Sequence, residues 1–370
     1  MSSVPGAGLY EFRDSRVERL VADLDRSIKF NPAHETALLV PSIVVVANAG
    51  LRRWLPLELA RARQRHGQRG VVADLQTLLP SAYFKKLGRR VLGAPTQGMD
   101  AYESAALPFR IYSELGRIKD PQLDAYLGGD SSNEAGRAVR RWGMAQRLAQ
   151  LYAEYMIYRP DWLSDWQRNS SPQIAGVPVS PTFVPELWRR LAAADGLHRG
   201  AFLQKLAEEI DRKGVPALVD ESDSAPVHVF GFTHMPQVEL AVWSAIAKHR
   251  PVFMYLPDPA DVHWTGIAHL YHDRRDALQA DDYEQVKLLE NDLQANVHPL
   301  LRSWSRLGQH FFMQLENLEL HSLAAYQDKD QDRQLESNSR LHAVQHSIRA
   351  NDIEALHVDT DSADFSLRVH

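Results

Sequence analysis

A chain of 370 residues with 44% hydrophobic and 24% charged residues has the composition of a folded protein. Its length fits two domains, or one domain carrying a large insertion. The absence of cysteine excludes disulfides and thiolate chemistry and fits a reducing compartment, while a net charge of −5 argues against a uniformly basic nucleic-acid binder.

That average hides a gradient. Residues 51–100 carry ten Lys and Arg against three Asp and Glu, whereas residues 251–300 carry three against nine. Arg52, Arg53, Arg61, Arg63, Arg65, Arg69, Lys85, Lys86, Arg89 and Arg90 form the basic tract. It reads either as a solvated helix face or as a phosphate-binding surface. The N-terminus, MSSVPGAGLYEF, has no basic segment followed by an apolar run, so no secretory signal is expected. The longest apolar run, from Ala37 to Leu51, is interrupted by Pro41, Ser42 and Asn48 and is too short to span a bilayer. A soluble, cytoplasmic protein is expected.

In chain order, Gly8 to Phe12 is a strand candidate, and Val17, Leu20, Val21, Leu24 and Ile28 form a helical stripe after it. Ala37 to Ala47 has the near-continuous Val/Ile/Leu pattern of a strand buried on both faces of a parallel sheet. A helix through Leu51, Trp54, Leu55 and Leu59 follows, with Pro56 expected to kink or restart it. Val71, Val72 and Leu75 offer a short strand, and a helix carrying Tyr83, Phe84, Leu87 and Val91 comes next. Residues 97–224 read as almost wholly helical, with loops at Gly128 to Asn133 and Ser170 to Pro181. Val227, Val229 and Gly231 then form a strand, Pro236 opens a helix, and Val252 to Leu256 is the next strand. This is a βαβ unit.

The expected fold is therefore α/β: a parallel-sheet domain from residues 1–96 and 225–326, with a helical insertion at 97–224. From Gln327 the composition turns polar, so 327–370 is expected to be a linker, with one helix around Leu341, Val344 and Ile348, leading to the first strand, Phe365 to Val369, of a further domain.

The loops that follow the first strands lack phosphate-binding chemistry. A P-loop needs clustered glycines followed by Lys and Ser or Thr. Here the first loop reads Glu11 to Arg16, and the second strand ends in Asn48-Ala49-Gly50. No ATP site of that kind is expected. Asp258, Asp261, His263, His269, His272, Asp273 and Asp276 form the densest His/Asp cluster. A metal-dependent hydrolase built on residues 258–276 is the alternative enzymatic reading, but no HExxH-type spacing supports it, and a polar loop and helix explains the cluster more simply. No catalytic residue, metal or other cofactor is expected.

Tyr155 to Trp166, YMIYRPDWLSDW, is the most informative segment. Met144, Leu148, Leu151 and Tyr155 recur at helical spacing, Pro160 ends that helix, and Asp161 can cap a second one carrying Trp162, Leu163 and Trp166. Two readings stand at this elbow. It is a packed corner between helices, or a surface whose Tyr, Trp and Arg stack on bases and pair with phosphates.

The YRPDW of this elbow resembles a segment of the gamma-chain (RecC) family of bacterial exodeoxyribonuclease V. His298 to Gly308 (HPLLRSWSRLG) is similar to the same family's NPLLxSWxxLG segment, and Val229 to His249 to its strand–loop–helix. The resemblance covers roughly residues 9–369, in the family's order. It implies a helicase-like, degenerate superfamily 1 fold of P-loop-type topology whose ATPase motifs are lost, and a chain that continues well past His370. It further implies a non-catalytic DNA-binding and scaffolding subunit of an ATP-dependent helicase–nuclease. The partners implied are single- and double-stranded DNA and the beta and alpha chains of a heterotrimer acting in double-strand break repair by homologous recombination. Carried over by position, Arg199 matches a family arginine that contacts DNA, and Leu79 and Leu151 match two apolar contacts. Ala47, Ala49 and Arg53 stand where the family pattern has polar residues, Lys85 replaces a Trp and Gln150 an Asp. These departures leave a single-strand channel but remove hydrogen-bonding groups and one stacking platform from sequence recognition. Arg53, Lys85 and Arg199 are thus the expected DNA-contacting cations, with Tyr158, Arg159 and Trp162 supporting the channel wall. A helical interaction module without a nucleic-acid role is the remaining alternative.

Overall fold

The computed structural model describes residues 5–28, 42–72, 75–93, 99–128, 133–170, 173–174, 177–178, 180–193, 196–215, 225–262, 264–280, 282–304, 306–318, 320–324 and 340–352. In chain order the elements are β1 (Gly8–Asp14), α1 (Val17–Ile28), β2 (Ser42–Val46), α2 (Ala49–Arg65), β3 (Leu75–Leu78) and α3 (Pro80–Val91). Then come α4 (Leu107–Leu115), α5 (Pro121–Leu127), α6 (Glu134–Tyr158), α7 (Pro160–Gln167), β4 (Gln173–Ile174), β5 (Val177–Pro178), α8 (Phe183–Ala193) and α9 (Arg199–Lys213). The remainder is β6 (Val227–Phe230), α10 (Gln237–Ala247), β7 (Pro251–Pro257), α11 (Trp264–Gln279), α12 (Tyr283–Asn296), α13 (Pro299–Trp304), α14 (Arg306–Glu316), β8 (Leu320–Ala324) and α15 (Arg340–Ala350). The chain forms two compact units, one of Met1–Tyr83, Val219–Met235 and Ala247–His370, the other of Phe84–Leu218 and Pro236–Ile246.

The first unit is built on a six-stranded sheet in the order β3-β2-β6-β7-β1-β8, parallel at every pairing. Strands β2 and β6 are buried along their whole length, as strands covered on both faces must be, which is why they are apolar apart from Ser42 and His228. Tyr10, Phe12, Leu20, Leu24, Val44, Leu55, Phe230, Phe253 and Tyr255 share one core. Phe12 stacks on Tyr255 with centroids 5.0 Å apart. The Nδ1 of fully buried His228 lies 3.0 Å from the Tyr255 hydroxyl.

Several local expectations are corrected. The second-unit helix α10 follows β6, but that strand ends at Phe230, not Gly231. Gly231 takes φ +79°, and a Cβ there would stand 2.5 Å from the Leu51 side chain, so the turn requires glycine. Helix α2 runs through Pro56 without a restart, at the cost of the one hydrogen bond proline cannot donate. The strand expected around Val71 begins at Leu75, and the loop from Ser170 to Pro181 contains the short antiparallel pair β4–β5. Strand β8 was not foreseen. Helix α15 is held within the first unit: Asp261 N–H donates to the Arg349 carbonyl (2.9 Å), and the Asn351 side chain accepts from His298 N–H (2.8 Å) and donates to the Asn296 carbonyl (2.8 Å). Residues 327–339 and 353–370 of the expected linker and final strand lie outside the described residues.

The second unit is helical. Its core joins Leu107, Ile111, Leu123, Leu148, Tyr152, Leu163, Trp166, Leu187 and Trp188. Two buried polar groups in it are satisfied by backbone: the Tyr152 hydroxyl donates to the Val184 carbonyl (2.7 Å), and Trp188 Nε1 to the Leu163 carbonyl (3.2 Å). Asp120 caps α5 through the Gln122 and Leu123 amides and also accepts from the Thr182 hydroxyl (2.7 Å). These bonds hold its carboxyl below the usual range, the Thr182 contact foremost. The crossover helix α10 packs in this unit, with Trp243 5.1 Å from Phe84.

Candidate nucleic-acid interface

The corner between α6 and α7 follows from one residue. Pro160 cannot continue α6, so Arg159 leaves helical geometry (φ −139°, ψ 52°) while its N–H still closes onto the Tyr155 carbonyl at 3.0 Å. Proline is favoured at a first helical position, so α7 starts at Pro160 itself. Asp161 therefore does not cap α7, contrary to expectation. It lies in the first turn and accepts two bonds from Arg159, Nε to Oδ1 at 3.0 Å and Nη2 to Oδ2 at 2.7 Å. The Arg159 hydrogen bond holds the Asp161 carboxyl below its ordinary range.

So anchored, the Arg159 guanidinium lies 3.7 Å above the Trp162 ring centroid. Trp162 meets Tyr155 edge-on at 5.4 Å. Met156, Pro160, Leu163 and Trp166 are buried beneath, whereas Tyr158 is 55% exposed. The inner half of the elbow is a packed corner; the outer half presents a tyrosine, a stacked guanidinium and an indole.

Arg199 opens α9, whose start is pressed onto the same corner. A Cβ on Gly200 would stand 1.8 Å from the Met156 carbonyl oxygen, so only glycine allows this approach. His198 caps α9 by accepting from the Ala201 amide at 3.4 Å and packs edge-on to Trp188 and Tyr102. Burial pushes its imidazole down to about 4, so it is neutral near neutral pH. Arg199 Nη2 lies 2.6 Å from Oε1 of Glu239, a buried carboxylate on α10.

The other predicted residues are distributed. Leu151 is half-buried against the helical core. Lys85 is paired with Glu103 at 3.2 Å. Arg53 is exposed on α2, and Leu79 is half-buried against the sheet core, accepting from the Tyr83 amide at 3.0 Å. The structure thus groups Tyr158, Arg159, Trp162 and the start of the Arg199 helix, while Arg53 and Leu79 belong to the sheet unit. Part of the basic tract is spent internally: Arg61 and Arg65 both reach buried Glu58, and Arg63 pairs with Asp25 at 2.7 Å.

Glu239 was not anticipated as a site residue, although a carboxylate among Val238, Ala241 and Val242 on an apolar helix is the signal that would have found it. Among the described residues no three His, Asp or Glu side chains are grouped to hold a metal ion; His263 and the His272 side chain lie outside the description. Asp258 is buried, accepting from Trp264 Nε1 (3.2 Å) and the Ala260 amide (3.3 Å), with Arg13 3.9 Å away. Burial outweighs these contacts and raises its carboxyl to about 7. A cavity of about 430 Å³ beyond β6 and β7 is lined by Pro257, Trp264, Leu300, Leu301 and Phe312, with Thr233 and His234 as its polar walls. Among the described residues no helix is long and apolar enough to cross a membrane.

The family model for the RecC N-terminal domain matches residues 9–351. Among curated proteins, the RecBCD enzyme subunit RecC of Escherichia coli K12 is 22% identical over 339 residues, covering 83% of this chain and 28% of that protein. The same subunit of Haemophilus influenzae Rd is 23% identical over 362 residues, covering 83% and 30%. That of Mycobacterium tuberculosis CDC 1551 is 24% identical over 275 residues, covering 71% and 23%. The chain therefore spans less than a third of the length of these relatives. With the family model matched along nearly its whole length, the chain belongs to the RecC N-terminal domain family.

Proposed function

We propose that this chain is the N-terminal, helicase-like part of a RecC-type subunit that binds single-stranded DNA without catalysing a reaction itself. The assembly would be an ATP-dependent helicase–nuclease with beta and alpha chains, acting on broken duplexes during recombinational repair in the cytoplasm. The observation that carries the reading is the exposed corner of Tyr158, Arg159 and Trp162, onto which the Arg199 helix is pressed. Stacking rings beside guanidinium groups are what a single strand requires: π-faces for bases and cations for the backbone.

Two features support a sheet of helicase type that has no ATPase role. The first strand lies between β7 and β8, with β6 and β2 beyond β7, an order that agrees with the P-loop-type topology expected from the resemblance. In each of the two loops where a phosphate would sit, one amide already has a side-chain acceptor. Asp14 Oδ1 accepts from Arg16 N–H (2.7 Å), and Asn48 Oδ1 caps α2 at Leu51 N–H (2.9 Å). Residues 84–218 supply the helical, strand-contacting part under this reading, and Ala47, Ala49 and Lys85 imply a sequence preference different from that of the family pattern.

The test is anisotropy titration of labelled oligo-dT, a mixed-sequence strand and a duplex against the chain, with ATP turnover measured in parallel. Salt-sensitive single-strand binding without ATP turnover is expected. No binding at low salt would overturn the proposal, as would DNA-stimulated ATP turnover abolished by substitutions within residues 11–16 or 47–53.

A further inference from the structure

Two of the three segments that carry the family resemblance, Val229 to His249 and His298 to Gly308, meet at one place in the sheet unit. The loop after β6 brings Thr233 and His234, and helices α13 and α14 bring Leu300, Leu301 and Gly308, to the cavity beyond the carboxyl ends of β6 and β7. That edge is where open parallel sheets hold ligands. The single-strand reading uses none of these residues.

The cavity has its shape before anything enters it. Trp264 and Phe312 stack on one another at 5.6 Å with their planes 12° apart, and the Trp264 indole is fixed by its bond to buried Asp258. Pro257 and Pro259 stiffen one side of the rim. The volume of about 430 Å³ is roughly three times that of a cavity that takes up benzene. Pre-formed apolar walls with few polar groups are the mark of a binding pocket.

Chemistry narrows the occupant. Among the described residues no charged side chain lines the cavity, so a phosphate or carboxylate entering it would lose its water and gain no counter-charge. The polar groups are Thr233 and His234, both exposed, with Oγ1 and Nδ1 3.4 Å apart. The group that fits is a neutral ring that packs on Trp264 and Phe312 and offers one hydrogen-bonding atom to Thr233 or His234. Tyrosine and tryptophan side chains have this form; phenylalanine lacks the polar atom.

Charge narrows it further. Pro257, Pro259, Trp264 and Leu300 lie within residues 251–300, which carry nine acidic residues against three basic ones. Asp261 is exposed two residues after Pro259, whereas Arg302 and Arg349, the cations next in sequence to Leu301 and Ile348, are half-buried. A nucleic acid would meet the wrong field here. The complement is a ring flanked by lysine or arginine.

We infer that this cavity is a docking site for a partner protein, which inserts a tyrosine or tryptophan side chain from a basic segment. The site is independent of the single-strand reading, since it lies in the sheet unit and uses neither the elbow nor Arg199.

The test is anisotropy titration of the full chain with the labelled peptides Lys-Ala-Trp-Ala-Lys and Lys-Ala-Tyr-Ala-Lys, against versions with Phe or Ala at the centre or Glu at both ends. Alanine at the centre should weaken binding by about 10-fold or more, the loss expected of an interface anchor. Phenylalanine should bind about 2- to 10-fold more weakly than tyrosine, the measure of one hydrogen bond. In Thr233→Ala/His234→Ala, which changes two exposed positions, that difference should vanish. The glutamate-flanked peptides should bind more weakly than the lysine-flanked ones, with the gap closing as salt rises. Leu300→Trp should fill the cavity and abolish binding while thermal denaturation stays cooperative. No binding of either ring peptide by wild type, or equal binding of the alanine-centred one, would overturn the inference. Displacement by oligo-dT would overturn it by giving the cavity to a strand, and free indole binding as tightly as the tryptophan peptide would make it a small-molecule site. A chain that takes the peptide but binds no single strand keeps this inference and loses the earlier reading.

Discussion

The guanidinium of Arg199, at the first position of α9, is held by the buried carboxylate of Glu239, with Nη2 2.6 Å from Oε1. The pair sets how Arg199 can act. Its side chain is 41% exposed, so part of the cation faces solvent while the rest neutralises a group that could not stay charged alone. Removing the arginine therefore does two things. Arg199→Ala should lower stability by about 1–3 kcal/mol, because a buried carboxylate loses its charged donor, and should weaken strand binding as well. Adding Glu239→Gln should restore most of the stability and none of the binding. Chemical denaturation and anisotropy titration of the single and double variants separate the two effects. Full recovery of binding in the double variant would mean that Arg199 never touches the strand.

Two glycines of the helical unit should respond oppositely to alanine. Gly200 has no room, since its Cβ would stand 1.8 Å from the Met156 carbonyl oxygen. Gly200→Ala should lower the unfolding free energy by about 1–3 kcal/mol or more, as overpacking does. Gly143 lies inside α6 with open space around it, so Gly143→Ala should be neutral or raise stability by up to about 1 kcal/mol through helix propensity. Equal urea midpoints for both variants would show that α9 does not press on the corner as described.

Stability should depend on pH through two buried groups with opposite signs. Asp258 binds its proton more tightly folded than unfolded, its carboxyl being raised from 3.8 to about 7 by burial. Its contribution is fully present below about pH 4 and is lost as pH rises to about 7, at most about 4 kcal/mol. His198 is the reverse: depressed from 6.5 to about 4, it contributes above about pH 6.5 and loses this as pH falls towards 4. Asp258→Asn should flatten the first dependence and His198→Asn, which keeps a capping oxygen, the second. Denaturation midpoints measured between about pH 5 and about pH 8 check both signs. A wild-type pH profile in either variant would contradict the assignment.

At the elbow, Arg159→Ala removes a stacked guanidinium and its two hydrogen bonds to the Asp161 carboxylate. Both are partly exposed, so the stability loss should be modest, about 0.5–1 kcal/mol. A loss of several kcal/mol in thermal denaturation would make the residue part of the core, not of a surface.

How much of this was legible in the sequence depends on what each residue's neighbours could reveal. Strand β2 and helix α1 announced themselves because full burial demands an apolar run and one-sided burial a helical stripe. Strand β8 did not: among the described residues it pairs with β1 alone, and LHSLA carries no continuous apolar signal. Pro160 correctly marked the end of α6, but its preference for the first helical position displaced Asp161 from the cap it was expected to fill. The aromatic and basic residues of the corner were readable as types. Their pairing was not, because Glu239 reaches Arg199 across 40 residues of sequence, a distance that no local pattern encodes.

The central claim, that this corner of the helical unit holds a single strand through its arginines, is tested most directly by the salt dependence of oligo-dT affinity. The quantity is the log–log slope for wild type, Arg159→Ala and the stability-restored Arg199→Ala/Glu239→Gln chain. Each arginine that neutralises a phosphate should flatten the slope by about 0.7 when removed. A flat wild-type response, or wild-type slopes in both variants, would take the strand away from this corner and leave the chain a role in holding partner subunits.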